Sequence, residues 1–141
     1  MGDREDRYRE ILQARADPST YYALLGMRVL GLEEGKSRLA MDIRKELFNA
    51  GGIVHGGALA SLADASIAVA LATTVDHRRE RMSTVEMKIN YLSPVRGGAV
   101  TCTGKIIQRG RSIAVGEACV YDGEEKMVAK AMATFVIKER E

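Results

Sequence analysis

An apolar run from Ile53 to Val75, IVHGGALASLADASIAVALATTV, constrains the fold of this chain more than any other segment. It is rich in Ala and Leu, the strongest helix formers, and no Pro interrupts it. The pattern predicts a helix of about five turns from Gly57 to about Thr73. Apolar residues fall all round it, so the helix is expected to be buried. Asp64 is the only charged residue between Gly56 and Val75, and it sits two turns in, too deep to be a cap. An unpaired carboxylate in an apolar setting is costly and acquires a partner or a function. Two readings are open for Asp64: a structural acid satisfied by Ser61 or a Thr hydroxyl, or a catalytic group. The uncharged length approaches the roughly 17 residues a membrane span needs, but Gly, Ser, Thr and the central Asp oppose a span.

The entrance to the helix carries a second signal. His55-Gly56-Gly57 leaves backbone N–H groups at a helix start, which attract developing negative charge. Glycine also admits a ligand carbonyl close to the backbone. A plain tight turn is the structural alternative. His55 and Asp64 are nine residues apart, about half a turn out of phase and roughly 13 Å along the axis. One helix cannot aim both at one atom. If both serve a site, a second copy supplies one of them, which predicts a two-fold dimer with two shared sites.

The remainder reads as one domain. Its 141 residues can bury a real core. A net charge of +2, without interleaved aromatic and basic residues, argues against nucleic acid as a partner. No signal peptide is apparent at the charged N-terminus. Cys102 and Cys119 stand apart in strand-like patterns and are expected to be reduced core residues of a cytoplasmic protein, with a disulfide between them as the alternative. The only histidines, His55 and His77, have no ligand cluster around them, so no metal is expected.

In order, residues 1–18 form a charged segment with Tyr8, Ile11 and Leu12 on one side, either an arm or a surface helix, and 19–141 form the domain. A short helix is expected from Thr20 to Leu25, ending at Gly26. Met27–Leu32 and Ser37–Ile43 make a hairpin, and Arg44–Gly52 a loop. Asp76–Arg81 is a polar loop. Strands follow at Thr84–Leu92, Ala99–Ile107, Ser112–Tyr121 and Met127–Ile137, with turns at Gln108–Arg111 and Asp122-Gly123. Alternation puts Val85, Met87, Ile89 and Tyr91 on one face of the first, and Thr84 with Glu86 and Lys88 on the other. Small residues at Ala114, Gly116, Ala118, Ala129, Ala131 and Ala133 leave room for a close helix. This is an α+β chain, one long helix against a run of antiparallel strands.

Asn49, His55-Gly56-Gly57, Asp64 and a strand ending Tyr91-Leu92-Ser93-Pro94 together resemble the hotdog-fold acyl-CoA thioesterases, in particular the phenylacetic acid degradation type. The likeness covers about Tyr22 to Lys138. It implies a long central helix wrapped by a curved antiparallel sheet, homodimers with a continuous sheet, and commonly homotetramers. By position, Asp64 would be the general base or the nucleophile, and the Gly56 N–H would polarise the thioester carbonyl. Asn49 would orient water or hold the thioester, and His55 would support the loop. Thr84 falls where some relatives carry a Ser that positions water. Gly57, Arg96, Arg109, Arg111 and Ser112 are candidate contacts to substrate, with the Arg residues suited to coenzyme A phosphates; Arg78, Arg79 and Arg81 after the helix are further basic candidates. Leu47, Phe48, Ala60, Ile67 and Ala68 are candidate acyl-pocket residues against the partner. No cofactor is implied beyond the coenzyme A of the substrate. The alternatives are a non-catalytic acyl-CoA sensor and an acyl-thioester hydratase or dehydratase, whose Asp-x4-Asn-x2-His run this chain lacks.

Overall fold

The computed structural model describes residues 2–141, so Met1 of the N-terminal segment lies outside them. Helix α1 spans Gly2–Ala16 and α2 Tyr21–Leu25. Strands β1 (Met27–Glu33) and β2 (Lys36–Asp42) form the first hairpin. A 3-10 turn, Lys45–Leu47, leads to helix α3, Gly56–Ala72. Strands β3 (Glu80–Tyr91), β4 (Ala99–Arg109), β5 (Ile113–Tyr121) and β6 (Met127–Glu139) complete the chain. The six strands form one antiparallel sheet in the order β1-β2-β4-β5-β6-β3. Helix α3 lies across one face of it. This is the α+β hotdog arrangement that the sequence implies.

Each element follows from local chemistry. The Thr20 hydroxyl caps α2 by accepting from Ala23 N, and Gly26 ends it in the left-handed region at φ 75°. Alternating inward residues of the strands, among them Leu39, Cys102, Val120 and Ala129, form a row beneath the helix. Above it, Leu59, Leu62, Ala63, Ile67 and Leu71 of α3 are buried against them.

Helix and sheet meet backbone to backbone at Gly104. A Cβ there would fall 2.2 Å from the Ser66 carbonyl oxygen. The Ser37 hydroxyl donates to that same carbonyl at 2.6 Å. Ser66 itself donates back to Leu62 O at 2.8 Å, so each polar group beneath the helix has a partner.

The first segment is a docked surface helix. Ile11 is fully buried, Tyr8 packs against the core, and Arg7 donates to Thr73 O at 3.1 Å near the end of α3. Leu12, grouped with them by spacing, is 43% exposed.

Three side-chain placements differ from alternation. A β-bulge between Thr84 and Glu86 adds one residue to β3, so Thr84 stands opposite buried Phe135 on the helix side, away from the face of Glu86 and Lys88. Val85, expected inward, occupies the bulge and is 56% exposed. A second bulge, between Ile106 and Gln108, aligns Arg109 with buried Ala114 and turns it to the helix side. The cysteines also separate. Cys102 is in the core, where burial pushes its thiol up to about 12, whereas Cys119 is half-buried beside Lys130 on the outer face.

Candidate active site

The loop before α3 is built around Asn49. Its backbone N–H donates to Ile53 O at 2.8 Å, and its side-chain Oδ1 accepts from Gly51 N at 2.9 Å and Ile53 N at 3.3 Å. These bonds hold the loop closed and leave the Asn49 Nδ2 amide without an acceptor among the described residues. His55 N then donates to Leu47 O at 2.7 Å and Val54 N to Val95 O at 2.8 Å, which tie the helix entrance to the 3-10 turn and to the segment after β3, respectively.

His55 is the N-cap of α3, and its Nδ1 accepts from Gly57 N at 2.8 Å. An accepting Nδ1 places the ring proton on Nε2. The Gly57 N–H, a candidate substrate contact by sequence, is thus taken by His55. The Gly56 N–H has no acceptor among the described residues and is the open donor of the helix terminus. Gly56 and Asn49 line one cleft of about 390 Å³ with Ile53, Leu59, Tyr91 and Pro94.

Asp64 is not in that cleft. It is half-buried on the single accessible stripe of α3, with Gly57, Ala60, Ser61 and Ala68. The expectation of a helix buried all round is corrected there, because no strand covers this stripe. Thr84 donates to Asp64 Oδ1 at 2.8 Å. Ser61, the other hydroxyl considered for that carboxylate, donates instead to Gly57 O at 2.9 Å and pairs with Tyr21 at 2.8 Å. One chain therefore presents Asn49 with Gly56 in one place and Asp64 with Thr84 in another.

The basic candidates divide. Arg96 and Arg111 are exposed, as is Ser112. Arg109 is committed within the chain: Nε donates to Thr74 Oγ1 at 3.2 Å, one terminal nitrogen to Gly110 O at 2.7 Å, and the other faces Glu80 at 3.5 Å. It fastens the end of β4 to the end of α3, a structural use that its turn-like sequence setting hides. Ile67, expected in an acyl pocket, points to the sheet, where its side chain fills the space a Cβ on Gly116 would need.

Sequence reasoning missed a use for Tyr91. Its hydroxyl donates to Gly56 O at 2.8 Å, and a Cβ on Gly56 would lie 2.9 Å from its ring. The available signal was an odd-numbered aromatic at the end of a strand that precedes Ser93-Pro94.

Among the described residues, no group of three His, Cys, Asp or Glu side chains is placed to hold a metal ion, and no helix is long and apolar enough to cross a membrane.

Residues 51–129 match the Thioesterase superfamily. A Saccharolobus solfataricus protein with the provisional name of esterase is 34% identical over 82% of this chain and 76% of its own length. The medium/long-chain acyl-CoA thioesterase YigI of Escherichia coli is 28% identical over 80% of this chain and 82% of its own. The solved structure of a variant of phenylacetic acid degradation protein PaaI from Thermus thermophilus superposes with a TM-score of 0.76 at 27% identity, covering 85% of this chain and 98% of that one.

Proposed function

The chain belongs to the thioesterase superfamily, whose reaction is thioester hydrolysis, and from that premise we propose that it cleaves acyl-CoA thioesters to the free acid and coenzyme A. The observation that carries the reading is the open Gly56 N–H beside Asn49 in a cleft that lacks a carboxylate, with Asp64 displayed on an uncovered helix stripe. Each half completes the other only across two chains. The site is therefore shared in a homodimer, with Asn49 and Gly56 from one protomer and Asp64 and Thr84 from its partner.

In this site the thioester carbonyl accepts from the Gly56 N–H, whose fixed dipole stabilises the oxyanion. Thr84 occupies Asp64 Oδ1 and leaves Oδ2 to take a proton from water. The water oxygen bonds to the carbonyl carbon, the C–S bond breaks, and coenzyme A leaves as the thiolate. Asn49 Nδ2 orients the water or the thioester. Because thiolate is a good leaving group, no strong acid is required. One oxyanion donor supplies roughly 3–4 kcal/mol of the barrier reduction.

Ala60 and Ala68 beside Asp64, with Leu47 and Phe48, suit an aryl or medium-length acyl group. The relatives named for PaaI and for medium/long-chain acyl-CoA support both choices. The exposed Arg96 and Arg111 suit the phosphates. A dimer of dimers is the assembly proposed, and the two free thiols fit a reducing cytoplasm.

The test is free-thiol release from a panel of acyl-CoAs. Activity in the native protein that disappears in Asp64→Ala supports hydrolysis. Tight binding with no thiol release defeats it and leaves a sensor. Loss of enoyl absorbance without thiol release leaves a hydratase.

A further inference from the structure

We infer that Tyr91 is a positioning residue that fixes the direction of the Gly56 N–H, an inference that rests on the hydrolase reading above. The β3 bulge lies before Tyr91, and the register beyond it sets Tyr91 opposite Ala129 in the row that faces the helix. Ala129 is small and leaves the phenol space to lean toward the start of α3. There the hydroxyl donates to Gly56 O at 2.8 Å.

That carbonyl and the Gly57 N–H are the two polar ends of one peptide group. The N–H end is held by His55 Nδ1 at 2.8 Å. Side chains from two sides therefore grip the Gly56–Gly57 peptide at both ends, which fixes its plane. The preceding bond carries the open Gly56 N–H, and a fixed plane on one side of the Gly56 Cα limits the swing of that donor. Glycine is the residue with most backbone freedom, so a donor on glycine needs outside restraint to be aimed. The same contact requires glycine, because a Cβ would come within 2.9 Å of Tyr91 Cζ.

Tyr91 is itself anchored. Leu92 N and Ser93 N both donate to Val128 O, at 2.8 and 3.3 Å. Yet Tyr91 remains 51% exposed at the cleft, unlike an aromatic residue used to fill a core.

Tyr91→Phe keeps the ring and removes only the donor. Two measurements decide the matter. Amide hydrogen exchange at Gly57 should quicken by about tenfold, the weight of one hydrogen bond. With the acyl-CoA the native protein cleaves best, kcat should fall about tenfold while KM stays put and Tm drops by only a few degrees, because misdirected donors cost rate rather than binding. Unchanged exchange at Gly57, or native kcat, overturns the inference. A raised KM at native kcat also overturns it and makes Tyr91 a substrate contact. If the native protein releases thiol from no acyl-CoA, the hydrolase reading fails instead, and the exchange measurement alone still shows whether the grip exists.

Discussion

Thr84 Oγ1 donates to Asp64 Oδ1 at 2.8 Å, joining the edge strand of the sheet to the one carboxylate of the central helix. The bulge at Val85 makes this bond possible by turning Thr84 to the helix side. Thr84→Val keeps the shape and deletes the donor. A hydrogen bond to a charged group at a half-open position contributes about 1 kcal/mol, so kcat should drop roughly fivefold, with Thr84→Ser near native. Thiol-release rates for the two variants check this. Native activity in Thr84→Val would leave the bond without a catalytic use.

The proposed division of the site between protomers has an arithmetic consequence. Asp64→Ala and Asn49→Ala are each expected to be inactive as pure dimers. Mixed and allowed to exchange subunits, about half the dimers become hybrids, each with one intact and one doubly defective site. Activity should return to about a quarter of native. No recovery after exchange verified by native mass spectrometry would place both groups in one chain.

Arg109 and Arg111 should part company on mutation. Arg109 bonds Thr74 and Gly110 and faces Glu80, so Arg109→Ala should lower stability by about 1–2 kcal/mol, a few degrees in Tm, with KM unchanged. Arg111 is exposed, so Arg111→Ala should leave Tm alone and raise KM for an acyl-CoA about two- to fivefold. A truncated thioester without phosphates should not register the Arg111 change. A rise in KM for Arg109→Ala would contradict the assignment.

His77 gives the stability a pH dependence. Burial, then the Arg15 guanidinium, holds its imidazole below the ordinary 6.5, and its Nε2 is buried without a partner among the described residues. The unfolded chain therefore binds the proton more readily than the folded one. Stability from this group is intact above 6.5 and declines as the pH falls below that value. Glu10 opposes the shift, while Arg7 and Arg140 add to it. Denaturant midpoints between pH 7.5 and 5 should fall more steeply for the native chain than for His77→Gln. Parallel curves would remove His77 as the source.

The long helix, both hairpins and the succession of strands along the chain could be read from periodicity and turn residues, because those signals are local; the place of β3 at the sheet edge beside β6 could not. The candidates Asn49, Gly56 and Asp64 stand out in the sequence by their spacing, and the structure places the first two in one cleft and the third on the uncovered stripe of α3. What stayed hidden depended on register. A bulge adds one residue without a residue type that announces it, and the parity of Thr84 and the direction of Arg109 both reversed behind one. The need for glycine at Gly104 depends on a carbonyl of Ser66, far away in sequence. Gly57 looked as free as Gly56 until the His55 ring was placed.

The contact at Gly104 limits what descendants of this chain can become. With the Ser66 carbonyl resting on bare backbone, there is no slot between rod and sheet into which a bulkier group could be inserted. A lineage that shifts to larger or smaller acyl groups must do so from outside, by exchanging Ala60, Ala68 or the rim around Tyr91. The floor of the molecule is closed to such tinkering, and its diversity is expected to accumulate along the proposed seam between two copies.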